Sequence, residues 1–314
     1  QDLKTTHICR LVRSIYGLRV SPNLWYKKFS SVLEKLNFVK YSYQKCIFYW
    51  QEGEKYIILL IYVDDCLLAS NCSSKTKEII NKIGAELDIN DMGSPRKFLG
   101  LEITRDRANK KIFVNQRIFI EEILGKFLID QNKISNLPTF PKTNTLTCQL
   151  DNLEDSPLVP YREVIGSLLY LQNCTRPDIS YAVNFLSRKQ VGFTSYDWDC
   201  VQKVLQYLRG TANLGLTFTG TSDAIGGLVD ASLGTNDVNG KSTTGFLVKA
   251  FGDLVSWKSQ KQTHVSLSSA EAEYVAMTAA CKELTSVRYM CEFLTKLNIL
   301  PTLYCDCKPA IALT

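Results

Sequence analysis

Tyr56-Ile57-Ile58-Leu59-Leu60-Ile61-Tyr62-Val63-Asp64-Asp65-Cys66-Leu67-Leu68-Ala69 is an apolar run, two adjacent acids and a second apolar run. Short runs rich in Ile, Val, Leu and Tyr read as strands, and Asp favours the turn between them. The pattern predicts a hairpin with Asp64 and Asp65 at its tip. Residues 46–50 add a further strand across a turn at Glu52-Gly53-Glu54. The first run, Tyr56 to Val63, is eight residues long, far short of the ~20 needed to cross a bilayer. Adjacent carboxylates repel one another unless solvent or a cation offsets their charge. Mg²⁺ takes oxygen ligands, commonly one or two carboxylates beside substrate phosphates, so Asp64 and Asp65 are either metal ligands or an exposed turn.

Upstream, Ser21 is placed to cap a helix, Pro22 suits its first turn, and Trp25, Phe29, Val32, Leu33 and Leu36 share one face. Downstream, Ile79, Ile80, Ile83 and Leu87 mark a helix over 75–87, and residues 98–103 and 111–114 form a second hairpin. The segment through Val114 is α+β. A helix over 117–128 leads into a polar connector, 129–160, broken by Pro138, Pro141, Pro157 and Pro160. Helical patterns follow over 161–172, 178–188 and 197–209. From Leu214 the pattern turns to strands over 214–219, 225–230, 244–250, 253–258 and 263–267, then a helix from Ser269 to Leu297 and a strand from Thr302 to Cys305. Strands followed by helix and strand indicate an α/β or α+β unit. The chain shows no internal repeat.

Three acids of this last part stand at element ends: Asp230 after Ile225-Gly226-Gly227-Leu228-Val229, Glu271 at the start of the long helix, and Asp306 after a strand. Their convergence at one sheet edge would make a metal site. The competing readings are local, a capping box of Ser268 with Glu271 and a helix cap at Asp306. Glu273 lies about 200° round the helix from Glu271, so both cannot face one site. Lys241, Lys258, Lys261 and Arg209, with Trp257 among them, are either phosphate contacts or a solvated face.

The 314 residues are 45% hydrophobic and 22% charged, which provides cores and excludes a disordered chain. A net charge of +6, from 37 basic against 31 acidic residues, permits a nucleic-acid partner without demanding one. Eleven scattered cysteines, Cys9 and Cys148 among them, indicate a reducing compartment. With no Cys-x-x-Cys pair and only His7 and His264, no structural zinc is expected. The start, Gln1 to His7, carries no targeting pattern.

Taken in order, these strings resemble the reverse transcriptase and ribonuclease H region of copia-type LTR retrotransposon Pol polyproteins. They are Ser14-Ile15-Tyr16-Gly17-Leu18-Arg19 with Ser21-Pro22 and Trp25; Tyr62-Val63-Asp64-Asp65; Phe98-Leu99-Gly100-Leu101-Glu102-Ile103; Tyr161-Arg162 leading to Gly166-Ser167-Leu168-Leu169-Tyr170-Leu171; and Thr175-Arg176-Pro177-Asp178-Ile179. The series continues with Lys241-Ser242-Thr243-Thr244-Gly245, Trp257-Lys258-Ser259, Ser268-Ser269-Ala270-Glu271-Ala272-Glu273-Tyr274 and Tyr304-Cys305-Asp306.

The resemblance implies an α+β / α/β chain: a partial right-hand polymerase palm with the start of the thumb over 1–130, a helical thumb and connection over 131–212, and a ribonuclease H-like mixed-sheet domain over 213–314. It implies an RNA-directed DNA polymerase with ribonuclease H activity. Asp64 and Asp65, and separately Asp230, Glu271 and Asp306, would be catalytic acids binding Mg²⁺, with Mn²⁺ able to substitute. Lys241, Lys258 and Lys261 would contact nucleic acid. The implied partners are an RNA template, a DNA primer, dNTPs and RNA/DNA hybrid, with no membrane. The implied location is cytoplasmic, inside virus-like particles of an active element, with the nucleus as the alternative. Departures from the family pattern are Val20 in place of Gln, Ser232-Leu233 after Asp230-Ala231, and Cys307 in place of Asn. The chain is expected to begin inside the polymerase domain and to stop before the last ribonuclease H acid. A catalytically inactive copy that binds nucleic acid is the alternative reading.

Overall fold

A computed structural model describes residues 10–139, 158–234 and 239–314. His7, Cys9, Cys148 and much of the expected connector lie outside them. The chain divides into two compact units, Gln1–Pro95 and Arg96–Thr314.

In the first unit, alternation along Lys55–Tyr62 (β3) buries Ile57, Leu59 and Ile61 on one face. Its neighbours are Val39–Lys40 (β1), Ile47–Glu52 (β2) and Asp65–Ser70 (β4), in an antiparallel sheet of order β1-β2-β3-β4. Helices Ser21–Lys35 (α1) and Ser73–Glu86 (α2) cover it, supplying Phe29, Val32, Leu33, Ile79 and Ile83 to the core. Ser21 does not cap α1. Val20 already has helical angles (φ −86°, ψ −18°), so Ser21 is the first helical residue and its hydroxyl donates to the Ile15 carbonyl at 2.6 Å.

The second unit starts with Lys97–Phe98 (β5), Leu101–Asp106 (β6) and Lys111–Asn115 (β7). The strand expected over 98–103 is broken. Leu99 (φ 49°) and Gly100 (φ 75°) turn the chain back, and Phe98 pairs with Leu101. Two positive φ values in a two-residue loop suit the twist of a hairpin. A Cβ at Gly100 would lie 2.8 Å from the Tyr170 hydroxyl, which donates to the Leu99 carbonyl at 2.5 Å. Leu216–Phe218 (β8), expected in the last sheet, instead pairs with β7.

Helices Arg117–Phe127 (α3), Tyr161–Cys174 (α4), Ser180–Ser187 (α5) and Ser195–Gly210 (α6) share one core that includes Ile120, Ile165, Leu168, Val183, Val204 and Leu205. Where α4 ends, Thr175-Arg176-Pro177-Asp178 clamps the bundle. Arg176 is 1% exposed, bonds the Asp178 carboxylate through Nε and Nη2, and donates to the Thr211 carbonyl and hydroxyl at 3.0 and 2.6 Å. The Tyr207 hydroxyl also donates to Asp178, at 2.8 Å.

The last part is a mixed sheet of Ile225–Ser232 (β9), Thr243–Ala250 (β10), Asp253–Lys261 (β11) and Thr302–Tyr304 (β12), in the order β11-β10-β9-β12. β12 runs parallel to β9; the other pairs are antiparallel. Ser269–Thr295 (α7) packs Ala276, Ala280, Leu284 and Val287 against Ile225, Val229, Phe246 and Val248, and Lys308–Ala312 (α8) follows β12. The strand expected over 263–267 does not form. Ser266 instead bonds the Gln262 side chain at 3.0 Å, while Gln262 ends the ladder on the Ser242 carbonyl at 2.8 Å and reaches the Ala272 carbonyl at 2.9 Å. Helix α7 stops at Thr295, short of Leu297, because Lys296 turns left-handed (φ 62°). Among the described residues no cysteine is in a disulfide, and no helix is long and apolar enough to cross a membrane.

Arg176 is buried while Asp178 is partly open to solvent, so losing the guanidinium removes charge-assisted hydrogen bonds without stranding the carboxylate. Arg176→Met is expected to cost about 1.5–3 kcal/mol in urea unfolding. Burial opposes the Asp178 charge, yet the Arg176 hydrogen bonds and charge and the Tyr207 hydroxyl hold its carboxyl below the usual range. The stability it supports is present above the ordinary Asp range and lost as pH falls through its lowered value. An Asp178→Asn chain should show a flatter fall in unfolding midpoint on acidification.

Candidate functional site

In the first unit the β3–β4 register pairs Tyr62 with Asp65, leaving Val63 and Asp64 as the tip. Val63 is left-handed (φ 55°), an outlier for a β-branched side chain. The Trp25 indole of α1 donates to its carbonyl at 2.7 Å and fixes that turn. Asp64 and Asp65 are both exposed, side by side and open to a ligand.

In the second unit, the register Tyr304↔Leu228 brings Asp306 and Asp230, each two residues further on, to the same end of parallel neighbours. Above them α7 begins. Ser268 caps it, accepting the Glu271 N–H at 3.2 Å, while the Glu271 carboxylate accepts the Leu267 N–H at 2.7 Å. Glu271 is therefore occupied by the helix start. The acid turned towards Asp230 and Asp306 is Glu273, and this corrects the sequence-based choice. Two residues of helix rotate the side chain by about 200°, and the cap sets which of the two acids faces the sheet.

Glu273 is 6% exposed. Its Oε1 accepts the Ala231 N–H at 2.9 Å, whereas Oε2 is buried and has no hydrogen-bond donor among the described residues. Burial raises its carboxyl above the ordinary value, the Ala231 N–H opposes that rise, and the Asp230 and Asp306 charges add to it. One donor atom each from Glu273, Cys305 and Asp306 lie within 4.8 Å of one another. Burial pushes the Cys305 thiol up, the Cys307 N–H opposes this, and Glu273, Cys307 and Asp306 reinforce it. An unpaired buried carboxylate oxygen beside two further acids lacks only a cation, so the donor set fits a divalent metal.

The expected basic residues separate. Register pairs Lys261 with Thr243, on the Asp230 face of the sheet, and Lys258 with Phe246, on the α7 face. Lys258 is exposed, whereas Lys241, just before β10, is half-buried. On the Asp230 face a cleft of about 670 Å³ runs from Asp230 and Asp306 past Leu228, Leu247 and Trp257 to Tyr181. The Trp257 indole is anchored on the Gln172 carbonyl at 2.6 Å, joining the sheet to the helical bundle.

Residues 1–141 match the family described as "Reverse transcriptase (RNA-dependent DNA polymerase)". The chain is 33% identical over 315 residues to the retrovirus-related Pol polyprotein from transposon TNT 1-94 of Nicotiana tabacum, covering 98% of this chain and 24% of that one. It is 32% identical over 307 residues to that from transposon RE2 of Arabidopsis thaliana, covering 96% and 20%. The chain belongs to the reverse transcriptase family of copia-type retrotransposon Pol polyproteins. It spans a quarter or less of the length of those Pol polyproteins. A foamy viral protease-reverse transcriptase solved in complex with dsDNA shares the fold of this Pol segment, with a TM-score of 0.51 at 14% identity, over 96% of this chain and 54% of that one. The mixed α/β architecture expected from the sequence is thereby established. Within the Pol segment, Glu273 and Cys305 are the site residues that motif order missed. The Ser268 cap was the signal for Glu273, since a capping acid points back along the helix.

A carboxyl raised by folding contributes stability below its unfolded value, lost as pH rises through its folded one. In chelator, Glu273→Gln should therefore raise the melting temperature at neutral pH. The gain should vanish below the ordinary Glu range of about 4.3, as checked by thermal melts across pH.

Proposed function

We propose that the second unit of this Pol segment cleaves the RNA strand of RNA/DNA hybrid with a divalent cation held by Asp230, Glu273 and Asp306. The buried, unpaired Glu273 Oε2 beside two strand-end acids carries this reading. Mg²⁺, or Mn²⁺ in its place, would supply Lewis acidity and a water activated for attack on a phosphodiester. The protein's own contribution is positioning. The Ala231 N–H fixes one Glu273 oxygen, the parallel β9–β12 pair holds the two aspartates level, and the open cleft leaves room for a nucleic-acid strand. Lys258 lines this cleft and Lys261 shares the Asp230 face of the sheet, and these two basic residues are placed to meet a phosphate there.

For the first unit we propose the polymerase role, with Asp64 and Asp65 as the acids serving an RNA template, a DNA primer and dNTPs. The support is the family match and a turn whose backbone is fixed by Trp25 while both carboxylates stay open.

Labelled hybrid incubated in Mg²⁺ or Mn²⁺ tests the second unit. Asp230→Asn and Glu273→Gln should each reduce cleavage by about 100-fold or more. Glu271→Gln should leave the rate near wild type and lower stability by about 0.3–1 kcal/mol, its share of the helix start. Loss of cleavage in Glu271→Gln with retention in Glu273→Gln would reverse the assignment. A folded chain that binds hybrid in a salt-dependent way and cleaves none would be the inactive copy.

A further inference from the structure

The acids of the second unit are not an all-oxygen set, because the Cys305 thiol stands among them. Donor atoms of Glu273, Cys305 and Asp306 lie within 4.8 Å of one another, and Glu273 Oε2 is buried without a partner. No N–H or O–H donor in the described residues meets that oxygen, which leaves it open to water, to a proton shared with Asp230 or to a cation. Cys305 directly follows Tyr304, whose pairing with Leu228 fixes the backbone of β12 at this point.

Ligand chemistry separates two kinds of cation here. Mg²⁺ seeks oxygen and keeps much of its water, whereas thiolate favours softer ions. Sulfur with two carboxylates gives three protein ligands and leaves a fourth tetrahedral position open, the ligand count of an open Zn²⁺ site. Bonds of about 2.1–2.3 Å at tetrahedral angles put ligand atoms about 3.6 Å apart, within side-chain rotation of the observed spacing. We propose that Glu273, Cys305 and Asp306 form a mixed sulfur–oxygen site for a thiophilic divalent cation, Zn²⁺ or its analogue Cd²⁺. The thiol loses its proton to solvent as the metal–sulfur bond forms. Such an ion occupies two of the three acids that would hold Mg²⁺, so the site is inhibitory. Binding stands on these three side chains alone; the inhibition rests on the cleavage function proposed above.

The test uses the whole chain, stripped by chelator and titrated with CdCl₂. The readout is the ultraviolet charge-transfer absorbance of a cadmium–thiolate bond. Wild type should show a band that Cys305→Ser lacks and Cys307→Ser keeps, and Glu273→Gln should weaken Cd²⁺ binding by at least about tenfold. An equal band in Cys305→Ser, or unchanged affinity in Glu273→Gln, overturns the site. A second measurement needs no variant: Cd²⁺ should protect Cys305 from alkylation by iodoacetamide, read by peptide mass spectrometry, and equal labelling with and without Cd²⁺ also overturns it. Hybrid cleavage in Mg²⁺ alone is measured in parallel. Cys305-dependent Cd²⁺ binding without cleavage keeps this site and removes the nuclease function. Cleavage without Cys305-dependent binding removes this site and keeps the function.

Discussion

Parallel pairing of the three-residue strand β12 with β9 is the constraint on which the second unit's site depends. Antiparallel neighbours would put their carboxyl ends at opposite edges, and Asp230 and Asp306 would be separated by the length of the strand. In the parallel pair both acids leave at one edge, the end at which open α/β sheets bind ligands. So short a strand contributes few ladder bonds, and side-chain packing holds it. Gly227 makes that packing possible: a Cβ there would approach Leu284 and Leu303 to 3.1 Å each, so its absence lets α7 and β12 close on β9 from two sides.

Given that frame, the phase of α7 decides which acid enters the cluster. Ser268 and Glu271 satisfy backbone N–H groups that a helix start leaves open, and doing so turns Glu271 away from the sheet. Glu273 is carried inward and buried, and Ala231 satisfies only one of its oxygens. A buried carboxylate that is half satisfied is unfavourable by itself. The fold tolerates it where a cation can complete the set, and a carboxyl perturbed by burial beside further acids is a common mark of function. The thiol of Cys305 in the same set then makes the identity of the cation a matter of competition between hard and soft ions.

Not every string that marks the family is chemical. Leu99-Gly100 is a left-handed turn pressed against the Tyr170 hydroxyl, and Thr175-Arg176-Pro177-Asp178 is a buried clamp between α4 and the end of α6. Both are explained by backbone geometry and charge satisfaction. They hold the helical bundle on which the Trp257 indole is anchored, and Pro177 and Asp178 of the clamp are themselves part of the cleft wall.

Local regularities made much of this architecture legible. Two short apolar runs about a pair of acids defined the β3–β4 hairpin, apolar spacing defined every long helix, and Ser268 marked where α7 begins. Such signals lie within a few residues of one another, so the chain carries them before it folds. Tertiary structure alone decided the rest: that Leu216–Phe218 joins β7, that β12 runs parallel to β9, and that Cys305 stands with Glu273 and Asp306. Each depends on the register and helix phase of segments distant in sequence. Those are set by which apolar faces bury each other and by which close approaches a missing Cβ allows, and no local pattern encodes them.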